Sequence, residues 1–417
     1  MSTPLLRTEQ LGLTINDRQL LSQVSLSVHP GELVGVIGPN GAGKSSLLKT
    51  LVGLHQQSAG KIWLHEQPLS QYRAQDRAQH ISYLAQAQEM SFAFRVRETI
   101  MLGAHSRVRT KHFARGQLDQ ELNRIVDLLD IASLLDRRLD QLSGGERQLV
   151  HFARMLMQDS PLMLLDEPTA SLDIGHEAQL MNLLHQQCRQ GRSALVAIHN
   201  LNSAAAFCDR LLLIQNGQLV AEGDPEQVIT QATMKRMYGP SVLVSRNPMT
   251  GTTTVLPLVE SQTPVPLHVH LIGGAGSTVA LCRQLLQMGV RVTAGIGHDQ
   301  DSDTQLWEAL GVEHIKVPTF APIETADIDA AKGLVQQADI TVMTDFPIGT
   351  MNAGNLTLAE QARHLWLVTS GNDDSMRFYD DSSLQRFHAL QQRANVKQIT
   401  ATELMPIMRQ QVASVTR

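Results

Sequence analysis

The octapeptide Gly38-Pro39-Asn40-Gly41-Ala42-Gly43-Lys44-Ser45 follows the apolar run Leu33-Val34-Gly35-Val36-Ile37 and leads into Ser46-Leu47-Leu48-Lys49-Thr50-Leu51. A glycine-rich turn between a short strand and a helix start wraps its backbone N–H groups around a phosphate chain, and the helix dipole adds to the attraction. Lys44 is placed to reach the β- and γ-phosphates, and the Ser45 hydroxyl to sit on Mg²⁺. Few chain architectures can hold this turn. It needs a buried strand behind it and a helix in front, so an α/β fold is predicted around it.

At 417 residues the chain is too long for one ordinary core, and two or three domains are expected. Lys and Arg together number 35 against 40 Asp plus Glu, with no block of like charge, so there is no electrostatic footprint for nucleic acid. Cys188, Cys208 and Cys282 are widely spaced and form no C-x-x-C pattern, which reads as buried reduced thiols in a cytoplasmic protein. No stretch approaches the ~20 apolar residues needed to cross a bilayer. Work at a membrane would therefore need a partner to hold the chain there.

Along the chain, Leu5 to about Val28 reads as an antiparallel hairpin turning at Asn16-Asp17-Arg18, and Lys61 to Leu64 as a further strand. Arg73 to Gln79 suggests a polar helix, and Ile81 to Gln86 a strand ending in a glutamine. Val96 to Leu139 is mainly helical by spacing. Leu142-Ser143-Gly144-Gly145-Glu146-Arg147-Gln148 opens another helix with a hydroxyl and unshielded N–H groups, a second anion-binding design. Pro161 to Leu165 is a buried strand delivering Asp166 and Glu167, a carboxylate pair suited to metal and water chemistry at the same nucleotide. The run Ala194 to Ile198 ends at His199, and Asn216-Gly217 is a hairpin turn.

These pieces in this order resemble the ATP-binding subunit of an ABC transporter, over about residues 5 to 240. Gly38 to Ser45 matches Walker A, Gln86 the Q-loop, Leu142 to Gln148 the signature, Leu162 to Glu167 Walker B, Ser171-Leu172-Asp173 the D-loop, and His199 the switch histidine. The resemblance implies two copies packed head to tail, each ATP lying between Walker A of one and Ser143, Gly144 and Gly145 of the other. It implies that Glu167 polarises water, Asp166 and Gln86 serve Mg²⁺ with Ser45, His199 contacts the γ-phosphate and Asp173 couples the two sites.

Two departures stand out. The family places an aromatic residue near Ile15 to stack on adenine, and an acid often follows the switch histidine where Asn200 stands. Val96-Arg97-Glu98-Thr99-Ile100-Met101-Leu102-Gly103 and Tyr83-Leu84-Ala85-Gln86 are similar to ATPases serving importers of iron–siderophore, haem and cobalamin. An import subunit is thus expected, peripheral on the inner face of the membrane through a permease and served indirectly by a substrate-binding protein. An exporter subunit, an importer of another solute and a non-transport ABC ATPase are the alternatives.

The expected organisation is an ATPase domain over 1–240 with a helical subdomain at about 87–150, a hairpin and linker over 241–266, and a doubly wound Rossmann-like domain over 267–417. In the last, the strand His268 to Ile272 meets Gly273-Gly274-Ala275-Gly276-Ser277-Thr278 before a helix at about Val279 to Met288. That turn is the arrangement that seats a phosphate at a helix N-terminus, so a nucleotide or other small-molecule ligand and a regulatory or ligand-sensing role are expectations here, against a bare doubly wound fold used for contacts. Val279 replaces the third glycine of G-x-G-x-x-G, and only Gly297-His298-Asp299 ends the next strand. The loop Asp345 to Asn355 follows the strand Ile340 to Thr344, where such folds bind ligands. The domain resembles extensions fused to some siderophore- and cobalamin-type ATPases.

Overall fold

In the computed structural model, the described residues are 3–86, 94–108, 115–239, 242–247, 249–257, 263–369 and 378–415. Parts of the expected helical subdomain and linker, at 87–93, 109–114, 240–241, 248 and 258–262, lie outside them. Compactness divides the chain between Val255 and Leu256.

The first unit is built on a six-stranded sheet in the order Gln218–Gly223, Arg210–Gln215, Leu33–Ile37, Ser193–Ala197, Leu162–Asp166 and Ile81–Leu84, parallel except for the first pair. Its central strands are apolar without a break because both faces are covered. Leu33, Ile37, Met163, Leu165 and Val196 pack into one cluster with the helices Gly144–Gln158 and Ile174–Arg189. The alternate residues Val34, Val36, Leu162, Leu164 and Leu195 pack into another, with Leu47, Leu48 and Leu51 of the helix Lys44–Leu51. The antiparallel pair Leu6–Ile15 and Arg18–Val24 belongs to a second sheet with Ala59–Leu64.

One expectation is refined. The strand at Ile81 stops at Leu84, so Gln86 stands on the turn after it rather than at its end. The stretch from Val96 to Leu139 is mainly helical as expected, in the helices Val96–Met101, His105–Val108 and Arg115–Leu129, with 3-10 turns at Leu102–Ala104 and Ala132–Leu134. A hairpin of Val242–Arg246 and Thr253–Pro257 follows, and the division between units falls in its second strand.

The second unit holds a parallel six-stranded sheet ordered Glu313–Val317, Val290–His298, Val265–Ile272, Ile340–Met343, Leu365–Thr369 and Val396–Thr400. Numbered along the chain this is 3-2-1-4-5-6, the doubly wound order, with its topological switch point between Val265–Ile272 and Ile340–Met343. Among the described residues no helix is long and apolar enough to cross a membrane.

Candidate functional site

The glycine loop leaves the sheet where its backbone must bend in ways a side chain resists. Gly38 has φ 149°, and a Cβ there would lie 2.1 Å from the Ile214 carbonyl oxygen. Gly43, at φ 108°, precedes the helix Lys44–Leu51 and gives it no side-chain cap. The first N–H groups of that helix therefore lack the partners that Ser or Asp would supply, which suits them to an anion. Gly41 has φ 76° and no atom near the position of its missing Cβ, leaving room above the loop. We expect Gly38→Ala to cost roughly 2–3 kcal/mol of stability through strain, and to weaken nucleotide binding more than tenfold. Thermal melting and titration with a fluorescent nucleotide check both.

Lys44 is buried and donates from Nζ to Gly38 O at 2.8 Å and Pro39 O at 3.3 Å, so it is folded back on the loop's own carbonyls. Burial pushes its pKa down, and the carboxylates of Glu167 and Asp166 oppose that shift. Ser45 Oγ donates to Asp166 Oδ1 at 2.9 Å across 121 residues of chain. The strand Leu162–Asp166 makes this meeting possible by carrying Asp166, 1% exposed, to its carboxyl end. Burial pushes the Asp166 carboxyl up, while the Ser45 hydroxyl pulls it back. A hydroxyl and a carboxylate oxygen side by side are hard donors that fit Mg²⁺.

Glu167 is half-buried, has φ 50°, and accepts from Gln86 Nε2 at Oε2, 2.7 Å away. His199 donates its Nε2–H to Asn40 Oδ1 at 2.9 Å, tying the expected switch histidine to the glycine loop. Asn200 caps the following helix, accepting from Asn202 N and Ser203 N, and its Nδ2 donates to Glu177 Oε1 at 3.3 Å, a bond that an acid in its place could not give. Tyr83 was not singled out as a site residue, yet its hydroxyl donates to Asp166 Oδ2 at 3.4 Å. The strand register explains the contact: Tyr83 stands opposite Leu164, and alternation puts Leu164 and Asp166 on one face.

Ser143 caps the helix Gly144–Gln158. Its Oγ accepts from Glu146 N at 3.2 Å, and its own N donates to Glu146 Oε2 at 2.7 Å. Gly144 and Gly145 lie against the Ser171–Leu172 segment of the same chain, 3.6 and 3.4 Å from where a Cβ would be. Asp173 caps the next helix and accepts from His176 N at 2.9 Å. The structure thus brings Lys44, Ser45, Asp166, Glu167, Gln86, Asn40 and His199 together through hydrogen bonds. Ser143 to Gly145 and Asp173 gather separately, around Ser171 and Leu172.

In the second unit the phosphate expectation at Gly273–Thr278 needs correction. The carboxylate of Asp301 accepts from Ala275 N at 2.9 Å, and Asp303 accepts from Gly276 N at 2.8 Å and Thr278 N at 2.9 Å. The chain's own acids occupy the cradle that a phosphate would need. Asp303 is 1% exposed and takes the Thr278 hydroxyl as well, at 2.6 Å.

A glycine loop with an adjoining hydroxyl, carboxylate pair, glutamine and histidine at the carboxyl end of one sheet defines a P-loop ATPase. Residues 21–170 match the ABC transporter family, and residues 292–405 match the MJ0874 family. The chain is 32% identical to the cobalamin import ATP-binding protein BtuD of Halobacterium salinarum, over 79% of this chain and 83% of that protein. Because the first unit ends at Val255, that match runs into the second unit. The chain is also 39% identical to the hemin import ATP-binding protein HmuV of Plesiomonas shigelloides, over 56% of this chain and 94% of that one. A solved metal-chelate type ABC transporter in an inward-facing conformation aligns at a TM-score of 0.53 and 25% identity, over 61% of this chain and 98% of that one. The chain belongs to the ABC transporter family of ATP-binding proteins and is an ATPase.

Proposed function

We propose that this chain energises import of a metal chelate, a corrinoid or haem in chemical class, through a separate membrane permease. The observation that carries the reading is the match to a cobalamin import ATP-binding protein that continues past the ATPase unit. A hemin import protein matched over 94% of its length points the same way. Cargo reaches the permease from a substrate-binding protein, and the chain stays on the inner face of the membrane through the permease.

Two copies work head to tail. The loop Gly38 to Ser46 of one copy cradles the phosphates, and Ser143, Gly144 and Gly145 of the other close over them with a hydroxyl and helix amides. This arrangement accounts for two anion-binding helix starts in one chain. Mg²⁺, held by Ser45 and Asp166 with Gln86 nearby, supplies charge neutralisation on the phosphates when bound. Glu167 orients the attacking water and accepts its proton, His199 positions the γ-phosphate, and Asp173 couples the paired sites. The second unit is a ligand-responsive regulator of this cycle.

Light scattering of Glu167→Gln with ATP tests the pairing, because slowed hydrolysis should trap a dimer. Adding Gly144→Glu should return the monomer. An acid is welcome in a helix first turn, so the fold should survive, while its charge opposes a facing phosphate. A dimer unaffected by Gly144→Glu would contradict the head-to-tail reading. ATP-driven uptake of cyanocobalamin or hemin by the chain with its co-purified permease tests cargo. Outward transport would overturn import.

A further inference from the structure

A cleft of about 710 Å³ opens at the carboxyl ends of the strands in the second unit. His298 and Asp299 come from the end of Val290–His298, Thr319 and Phe320 from beyond Glu313–Val317, and Pro347 to Asn352 from beyond Ile340–Met343. This is the position where open parallel sheets take ligands. A smaller cavity of about 120 Å³ lies under the Gly273–Ala275 turn, at the topological switch point. His298, Asp301, Pro347 and Asn352 line both spaces, which makes them adjoining compartments.

Polar side chains line the inner compartment. Thr304 and Asn355 line it, at 1% and 2% exposure, and Thr304 Oγ1 and Asn355 Oδ1 have no hydrogen-bond partner among the described residues. Gly297 makes room for the Thr304 side chain itself, since a Cβ there would lie 2.1 Å from Thr304 Oγ1 and 2.8 Å from the Trp307 ring.

Charge selects what can enter. Asp299 and Asp301 line the cleft, and no Lys or Arg is among its described lining residues. Lys316 approaches Asp299 at 3.7 Å but is held more closely by Glu308, at 2.7 Å. The amides that would have welcomed a phosphate are already given to Asp301 and Asp303. An anion would therefore meet carboxylates of its own sign and no unoccupied cradle. The mouth carries large apolar side chains in water: Phe320 is 83% exposed, Tyr379 82% and Met351 44%. Phe320 is also held at φ 62°, a strained setting for an aromatic residue. Aromatic faces beside carboxylates attract a flat or apolar cation twice over, through the ring quadrupole and through the charge.

We propose that this cleft binds a small cationic ligand with a flat apolar body, an aromatic amine in chemical class, and not a nucleotide or other phosphate. The proposal rests on the reading of the second unit as ligand-responsive and gives that reading its ligand chemistry.

The test is isothermal titration of the full-length chain, free of ATP, with tryptamine and with indole-3-propionate. The two share a ring and a spacer and differ in the sign of the terminal charge. Tryptamine should bind saturably at one per chain, and indole-3-propionate should give no saturable heat. Asp299→Asn and Tyr379→Ala, both at exposed positions, should each weaken tryptamine by about tenfold, or 1.4 kcal/mol, with unchanged far-UV circular dichroism. Lys44→Ala should leave the affinity unaltered, which separates this cleft from the ATP site. Equal binding of both indoles, indifference to Asp299→Asn and Tyr379→Ala together, or no binding of tryptamine at millimolar concentration would each overturn the proposal. ATP turnover measured with saturating tryptamine separates the two readings: binding with unchanged turnover keeps the site and removes the regulatory role.

Discussion

Replacing Glu167 by Gln is expected to cut ATP turnover by about 10²–10⁴-fold, the range for losing a positioned base, while nucleotide still binds. The side chain stands just past the strand Leu162–Asp166 and accepts from Gln86 Nε2 at 2.7 Å. An amide of the same shape keeps the packing and removes the charge that draws a proton from water. The phosphate cradle is untouched, because Lys44 rests on Gly38 O and Pro39 O and not on Glu167. Affinity for ATP should hold or rise, since a negative charge near the phosphates is lost. Phosphate release and titration with a fluorescent ATP analogue, run on one preparation, separate the two effects. Turnover within a few-fold of the native chain would remove Glu167 from the role of base.

Much of this site was legible because its parts are local patterns. The Gly38 to Ser45 loop needs left-handed backbone at fixed spacings, and glycines at those spacings announce it. The apolar run before Asp166 announces a buried parallel strand in the same way. The partners of these parts were harder to foresee. Nothing in the order of residues says that His199 donates to Asn40, or that Tyr83 reaches Asp166, because those contacts depend on which strands become neighbours. The turn at Gly273 makes the limit plainest. Its glycines report a backbone shape and say nothing about what satisfies the exposed amides, and Asp301 and Asp303 do so from beyond the next strand. The last strand, Val396–Thr400, carries no such signal. Of its residues only Ile399 is buried, so its sequence lacks the apolar signature of an inner strand.

Acidification is expected to unfold the second unit through His270, which is fully buried on the strand Val265–Ile272. Its proton positions follow from a hydrogen-bond chain. His268 Nδ1 lies 3.1 Å from Gln337 O, which can only accept, so Nδ1 carries the hydrogen and Nε2 is left to accept from the Thr293 hydroxyl at 2.9 Å. With its own hydrogen spent, Thr293 Oγ1 accepts from His270 Nδ1 at 2.9 Å. His270 Nε2 is then a bare acceptor with no partner among the described residues. Protonation would bury a charge beside His268 with nothing to take the new hydrogen. Burial foremost, and then His268, pushes the His270 pKa down to about 3. Between pH 6.5 and about 3 the unfolded chain binds a proton there that the folded chain refuses, so stability is full above that window and falls as the pH drops through it. The loss approaches about 5 kcal/mol at the acid end, at 1.36 kcal/mol per pKa unit. His270→Leu removes the titrating group at a cost of about 1 kcal/mol for the lost Thr293 hydrogen bond, paid at every pH. Denaturant unfolding followed across this pH range should therefore show the variant weaker at neutrality, with a flatter pH dependence than the native chain. Parallel curves for the two proteins would place the acid lability elsewhere in the unit.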